Sequence, residues 1–182
     1  MIKIKKSQGF SLIELMVTIA IVGIMAAIGM PSLQTTLQNN NMTALHNELL
    51  AALSFTRNTA ITRGSSATLC KANLASNGCA ATTASWENGW IIFPDNNNDG
   101  VVDAGETILS IKNDLPKDIS INYSRNSSRI TYGAQGYSIG FNGNFMFCDK
   151  RGDSAKKGMV ISNNGRVRLA VANDLGTCPS AE

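Results

Sequence analysis

The chain has 182 residues, of which 16 are Lys or Arg, 13 are Asp or Glu and one is His. Three lysines within residues 1–9 supply the whole formal excess of +3, so bulk charge on the rest of the chain does not favour polyanion binding. One histidine, His46, cannot serve a conventional triad, and no P-loop, GxGxxG or HExxH string is present. The composition therefore predicts neither an enzyme nor a cofactor.

The first predicted element is a long apolar helix. Residues 10–31 hold one charge, Glu14, and the stretch from Phe10 to Met30 is about 31 Å long as a helix, enough to cross the hydrocarbon core of a bilayer. Residues 1–9 form a basic leader, the positive flank expected on the cytoplasmic side. Because the leader ends at Gly9, before the apolar run, cleavage there would leave the helix on the mature chain, unlike a secretory signal peptide.

Residues 32–62 are predicted to continue the helix in amphipathic form. Pro31 and Gly29 predict a kink or local unwinding where the two halves meet. His46, within the amphipathic half, is expected to be a solvated surface residue. The apolar stripe, with a spacing of three to four residues, consists of Leu33, Leu37, Leu45, Leu49, Leu53 and Ala60.

Residues 63–182 are predicted to form a β-rich globular head. Short apolar runs separated by Asn, Gly, Asp and Ser follow the helix, so the fold class is α+β, with one long N-terminal helix packed on an antiparallel sheet. The candidate strands are Ala67–Cys70, Gly89–Phe93, Thr107–Ile111, Ile119–Tyr123, Gly136–Phe141, Asn144–Cys148, Gly158–Ser162 and Arg166–Val171.

The four cysteines predict two disulfides, as is usual for an even count in an exported chain. Three pairings are possible. Cys70–Cys79 and Cys148–Cys178 are preferred because each pair closes one local unit. Zinc is not expected, since the spacings contain no C-x₂₋₄-C clip.

An acidic stretch, residues 95–106, fits the formula of an EF-hand calcium loop. Apolar strand-like runs flank it on both sides, however, whereas an EF-hand loop lies between helices. A strand-connecting loop rich in turn residues is therefore the preferred interpretation, and no metal site is predicted. The candidate ligands under the calcium alternative are Asp95, Asn97, Asp99, Asp103 and Glu106.

A predicted hairpin near the C-terminus carries two arginines. Asn164-Gly165 favours a type I′ turn, and Arg166 and Arg168 then share one face of the following strand, about 6.6 Å apart. Two guanidinium groups at that spacing could each bind a phosphate of one nucleic-acid strand. Basic residues on the connection into the hairpin, which could widen this surface, are Lys150, Arg151, Lys156 and Lys157.

The charges are unevenly distributed along the head. Residues 119–182 hold eight basic and four acidic side chains, whereas residues 86–118 hold two basic and seven acidic ones. A basic C-terminal end favours contact with a polyanion. The alternative is that the arginines provide solubility or pair with a neighbouring subunit.

Residues 9–16, Gly-Phe-Ser-Leu-Ile-Glu-Leu-Met, resemble the class III signal of type IV pilins and type II secretion pseudopilins. Ser11 stands where threonine is commoner. The resemblance implies cleavage between Gly9 and Phe10 by prepilin peptidase, N-methylation of Phe10, and packing of the helix in a filament core. It also implies that Glu14 pairs with the N-terminal amine of a neighbouring subunit.

Three segments of the head resemble the GspH/FimT group of minor pilins and pseudopilins: GWIIFPD at 89–95, FCDKRG at 147–152 and VISNNGRVRL at 160–169. The resemblance implies a pilin-like fold and a minor pilin of the FimT/FimU type, anchored once in the inner membrane with its head in the periplasm and then built into a pilus, near its tip. A GspH-type pseudopilin of type II secretion is the alternative. GRVR is similar to the GRxR motif by which FimT-type subunits bind DNA, without strong sequence specificity. The implied partners are prepilin peptidase, other major and minor pilins, the inner membrane and DNA.

Overall fold

The computed structural model describes residues 10–73, 78–113 and 115–179, so the predicted cleavage residue Gly9 lies outside it. The chain divides into two units, residues 1–40 and residues 41–182. The described elements, in chain order, are α1 (Leu12–Arg63), β1 (Ala67–Asn73), β2 (Gly78–Cys79), β3 (Trp90–Pro94), β4 (Ser110–Lys112), β5 (Ile119–Tyr123), β6 (Arg129–Tyr132), β7 (Gly143–Asp149), β8 (Lys157–Ile161) and β9 (Val167–Leu169).

In the first unit, α1 continues through Gly29 and Pro31, so the local unwinding predicted there is absent. Proline removes one backbone donor, but the helical turns before and after it are formed. The apolar side chains of this segment are exposed, as Phe10 is at 75%. The helix is long and apolar enough to cross a membrane by length and composition.

In the second unit, one stripe of α1 is buried against the sheets. Met42, Leu45, Leu49 and Leu53 are fully buried, and Thr56 and Ala60 extend the same stripe. Leu33 and Leu37, predicted as members of the stripe, belong to the first unit and are 61% and 53% exposed. Burial of each large apolar side chain stabilises the fold by about 1.5–3 kcal/mol.

His46 is not a solvated surface residue, contrary to the prediction. It is 4% exposed, its Nε2 lies 3.2 Å from the carbonyl oxygen of Gly158, and its ring packs edge-on against Phe147 with 5.5 Å between centroids. His46 lies four residues after the buried Met42 and three before the buried Leu49, so it shares their side of the helix. Position on the helix, and not polarity, decides its burial.

The first sheet has the strand order β2-β1-β3-β4, with β6 also paired to β1. All its pairings are antiparallel. A disulfide joins Cys70 of β1 to Cys79 of β2, with 5.6 Å between the Cα atoms.

The second sheet is antiparallel, with the order β5-β7-β8-β9. After β9 a short 3₁₀ helix, Ala172–Asp174, begins a C-terminal tail that a disulfide ties back to β7. That disulfide joins Cys148 to Cys178, with 5.8 Å between the Cα atoms. Both bridges have the pairing preferred from the sequence.

One candidate strand is not formed. Residues 136–141 are irregular, with φ of +76° at Gly136 and +86° at Gly140, backbone angles that a strand does not use. A strand absent from the candidates, β6, lies just before this segment and pairs with β1. Its short apolar run is bounded by Ser and Asn on one side and Gly on the other, which weakens the sequence signal.

Candidate functional site

The turn of the C-terminal hairpin is not type I′, contrary to the prediction. A type I′ turn needs positive φ at both central residues, and among the described residues only Asn98 has positive φ without being glycine. Gly165, with φ of +75°, instead donates its N–H to Ser162 O at 2.8 Å, while Ser162 donates to Arg166 O at 3.0 Å. Gly165 and Arg166 thus oppose Ser162 as a glycine bulge.

This turn is fixed by neighbouring segments of the second unit. Arg57 of α1 donates from Nη2 to the carbonyl of Asn164 at 3.2 Å, and the amide of Ser138 donates to the carbonyl of Asn163 at 2.9 Å. Gly165 packs so closely on Gly136 that a Cβ built on it would lie 1.9 Å from the Gly136 oxygen. The start of β9 is therefore held in place by three separate contacts.

Arg166 and Arg168 lie on the outer face of the second sheet. Arg168 is opposite Val160, whose neighbours in β8, Met159 and Ile161, are buried in the core. Since side chains alternate along a strand, Val160 and Arg168 point away from the core, and Arg166, opposite Ser162, shares that face. The predicted common face of the two arginines is present.

Arg168 is already paired with an acid of its own chain. Its Nη1 and Nη2 donate to the two carboxylate oxygens of Asp174 at 2.7 and 3.0 Å. Hydrogen bonds from Arg168 and from the amide of Val171 lower the pKa of Asp174 to about 2, so the pair is fully charged at neutral pH. Arg166 is exposed, and its guanidinium has no partner among the described residues.

The other predicted basic residues do not extend this face as one surface. They lie at or before the start of β8, at its opposite end from the turn. Arg151 is paired with Asp149, with 2.9 Å from Nε to Oδ2, and Lys156 with Asp153 at 3.2 Å. Lys157 donates to Thr43 on the helix side of the sheet at 2.6 Å, while Lys150 is exposed.

The acidic loop is held by hydrogen bonds within the protein. Asp95 is fully buried and accepts from the hydroxyl of Thr68 at 2.6 Å and from the amides of Asp99 and Gly100, each at 3.0 Å. Glu106 accepts from the amides of Asn96 and Asp103 at 2.7 and 3.1 Å. Asn97 donates to Asp99 and Asp103. Within the described ranges no group of three or more His, Cys, Asp or Glu residues is arranged to hold a metal.

At the other end of the chain, Glu14 lies in the first turn of α1, four residues after Phe10. Its side chain is exposed and has no partner within the part of the chain that the structure describes. A carboxylate surrounded by exposed apolar side chains is costly in lipid unless another group pairs with it.

Two sequence families match this chain. Residues 46–165 match the family described as Type II transport protein GspH, and residues 4–30 match the Prokaryotic N-terminal methylation motif. The chain belongs to the GspH family. Its members are pilins and pseudopilins, which are structural proteins and not enzymes. A comparison with curated proteins found no match.

Solved structures show the same fold. A crystal structure of the type IV minor pilin FimU from Pseudomonas aeruginosa strain PAO1 is 18% identical and covers 79% of this chain and 96% of its own, with a TM-score of 0.57. A second crystal form of FimU is 16% identical, covers 76% and 98%, and has a TM-score of 0.52. The predicted pilin-like architecture, one long N-terminal helix with antiparallel sheets, is thus confirmed.

Two residues that shape the hairpin face were not identified from the sequence, namely Asp174 and Arg57. The sequence contains a weak signal for the position of Asp174, because an acid three residues after Val171 can cap a turn. In the structure its carboxylate accepts from the Val171 amide at 2.8 Å. Arg57 carried none, since its contact with Asn164 spans more than a hundred residues of sequence.

Proposed function

We propose that this GspH-family protein is a minor pilin of a type IV pilus. In this proposal prepilin peptidase cleaves between Gly9 and Phe10 in the inner membrane, Phe10 is N-methylated, and the periplasmic head is then carried into the pilus near its tip. The observation that carries the proposal is the exposure of α1 within the first unit, residues 12–40. All apolar side chains of that part of the helix are exposed, apart from one that is half-buried. An apolar surface of that length has to be covered by lipid while the subunit is in the membrane, and by neighbouring helices once the subunit is in the filament.

Glu14 is the residue proposed to set the register of the subunit in the filament. Glu14→Ala is expected to be cleaved normally but to lose most of its incorporation, because the amine of the adjacent subunit then has no carboxylate partner. The measurement is the amount of subunit in sheared filaments relative to the amount in membranes.

Glu48→Ala is the matched control. Glu48 is also an exposed acid on α1, but it pairs with Lys112 of the head at 3.0 Å. We expect that variant to be incorporated as the unmodified protein is. Normal incorporation of Glu14→Ala would remove the proposed role of Glu14. If the protein were absent from pili and its loss blocked protein secretion instead, it would be a type II pseudopilin.

DNA binding through the outer face of the hairpin is a second candidate function. It is supported by the exposed, unpartnered guanidinium of Arg166 next to a turn that three contacts hold in place. Because Arg168 is paired with Asp174, a phosphate has to displace that carboxylate, whereas Arg166 can bind a phosphate directly. The two arginines are therefore not equivalent.

The expected result is a graded loss of duplex-DNA affinity across a salt series. Arg166→Gln removes about one phosphate contact, so the slope of log affinity against log salt becomes shallower by about 0.9. Arg168→Gln alone has the smaller effect, and Asp174→Asn raises affinity because Arg168 is released. The segment from Gln34 onward is the material to use. Unchanged binding in the Arg166→Gln/Arg168→Gln double variant would exclude this face.

A further inference from the structure

The two outer edges of the second sheet are treated differently by the fold. At the β5 edge, the outward-facing amide of Ile121 donates to the carboxylate of Glu87 at 3.2 Å. Glu87 belongs to the 3₁₀ turn Trp86–Asn88, which is adjacent to β5. A side chain from the neighbouring turn thus satisfies a backbone donor of the β5 edge.

The β9 edge is covered at one group only, the outward carbonyl of Leu169, which accepts from Nη1 of Arg168 at 3.1 Å. Ser162 donates to Arg166 O and Ala170 donates to Gly158 O, which fixes the alternation of bonded and unbonded pairs between β8 and β9. In that alternation Val167 and Leu169 are the residues that make no backbone hydrogen bonds to β8. Their N–H groups and the Val167 carbonyl therefore point away from β8, out of the sheet edge. None of these three groups has a partner among the described residues.

Apolar surface accompanies these free backbone groups. Leu169, the last residue of β9, and Val171, two residues later, are 66% and 61% exposed, so two branched apolar side chains lie next to this edge. Leu169 lies opposite the buried Met159, so it points to the helix side of the sheet. There it lines a cavity of about 510 Å³, bounded on the helix by Thr43, His46 and Asn47.

We propose that the outward edge of β9 binds an extended strand of another pilin-type subunit. That strand accepts and donates the backbone hydrogen bonds at Val167 and Leu169. Its side chain opposite Leu169 is apolar and enters the cavity. Its residues on the other face lie beside Arg166 and Arg168 and are therefore polar or acidic.

Charge disfavours a second copy of the same chain as the occupant, and the ion pair of each Arg168 with its own Asp174 offsets that repulsion only in part. Two β9 edges paired antiparallel about their centres would place Arg168 directly against Arg168, and like charges opposite one another destabilise a strand pair. A different subunit avoids this repulsion. The proposal rests on the incorporation into a filament proposed above, and it leaves the outer arginine face accessible from solvent.

Leu169→Pro in the full-length protein is the variant that tests this edge. Proline removes the outward N–H and places its ring where the added strand would lie, while the hydrogen bonds between β8 and β9 do not use that N–H. We expect the subunit content of sheared filaments to fall about tenfold, with the melting temperature and DNA binding nearly unchanged. Leu169→Ala keeps the N–H, and we expect the subunit content of sheared filaments to fall much less in that variant.

A benzophenone photo-crosslinker placed at Val171 in the otherwise unmodified full chain supplies a second measurement, independent of the folding of the proline variant. We expect an adduct with a different pilin-type subunit, and no such adduct from the same probe at Val101, an exposed residue of the acidic loop. Full incorporation of Leu169→Pro, or adducts only with copies of the same chain, would overturn the proposal. Absence of the unmodified protein from filaments would instead refute the proposed function.

Discussion

Gly165→Ala is expected to lower the free energy of unfolding by about 2–5 kcal/mol. A φ of +75° costs a residue with a Cβ about 1–2 kcal/mol, and the overpacking adds about 1–3 kcal/mol because the new Cβ would lie 1.9 Å from the carbonyl oxygen of Gly136. Backbone cannot move aside as a flexible side chain can. Denaturant unfolding of the head gives this difference directly.

Gly152→Ala is the matched control for the backbone part of that effect. Gly152 has a φ of +66°, but a Cβ there has no neighbour within 4 Å, so its loss is expected to be about 1–2 kcal/mol. A Gly165→Ala protein no less stable than Gly152→Ala would show that the turn does not press on Gly136. If Gly165→Ala shifts the hairpin turn without unfolding the head, we expect the proposed DNA affinity and the proposed strand addition at β9 to fall together with stability.

Asp95→Ala is expected to destabilise the head by about 2–4 kcal/mol, although Asp95 belongs to a loop. The carboxylate is fully buried and accepts three hydrogen bonds, from the hydroxyl of Thr68 and the amides of Asp99 and Gly100. Removing it leaves buried donors without an acceptor, and each costs about 1–3 kcal/mol unless water reaches it. Thermal or denaturant unfolding measures the loss.

Asp103→Ala, in the same loop, provides the comparison. Asp103 is exposed and its carboxylate accepts one side-chain bond, from Asn97 at 2.8 Å, so the expected change is within about 0.5 kcal/mol. Equal losses at the two positions would contradict the structural role of Asp95. Calcium is expected to leave the melting temperature of the unmodified head unchanged, and a clear rise at micromolar calcium would reinstate the EF-hand interpretation of this loop.

Local patterns in the sequence are sufficient for much of the fold. The period of the apolar residues places Leu45, Leu49 and Leu53 on the buried side of α1, and the same period places His46 there despite its polarity. Alternation and turn residues locate β5 at its observed bounds, Ile119–Tyr123. Strand β6 was missed because its stability comes from pairing with β1, a partner distant in sequence.

For the hairpin face, local sequence patterns predict where the two arginines lie but not which of them is available. Strand alternation is local, so the common face of Arg166 and Arg168 follows from the string itself. Which of the two guanidinium groups is available depends on Asp174, and that carboxylate is brought back to Arg168 by a turn of the tail. The net charge of residues 119–182 likewise does not reveal that Arg151 and Lys156 are paired at the far end of β8.

The ion pair between Arg168 and Asp174 bears on how such chains diverge. An exchange of aspartate for asparagine at position 174 would release Arg168 while the string Gly-Arg-Val-Arg stays identical. Under the DNA binding proposed above, descendants of one ancestor gain or lose phosphate affinity through a residue that lies outside the recognisable string. Under that proposal, a survey that assigns DNA uptake by the string alone groups strong and weak binders together, whereas scoring position 174 as well separates them.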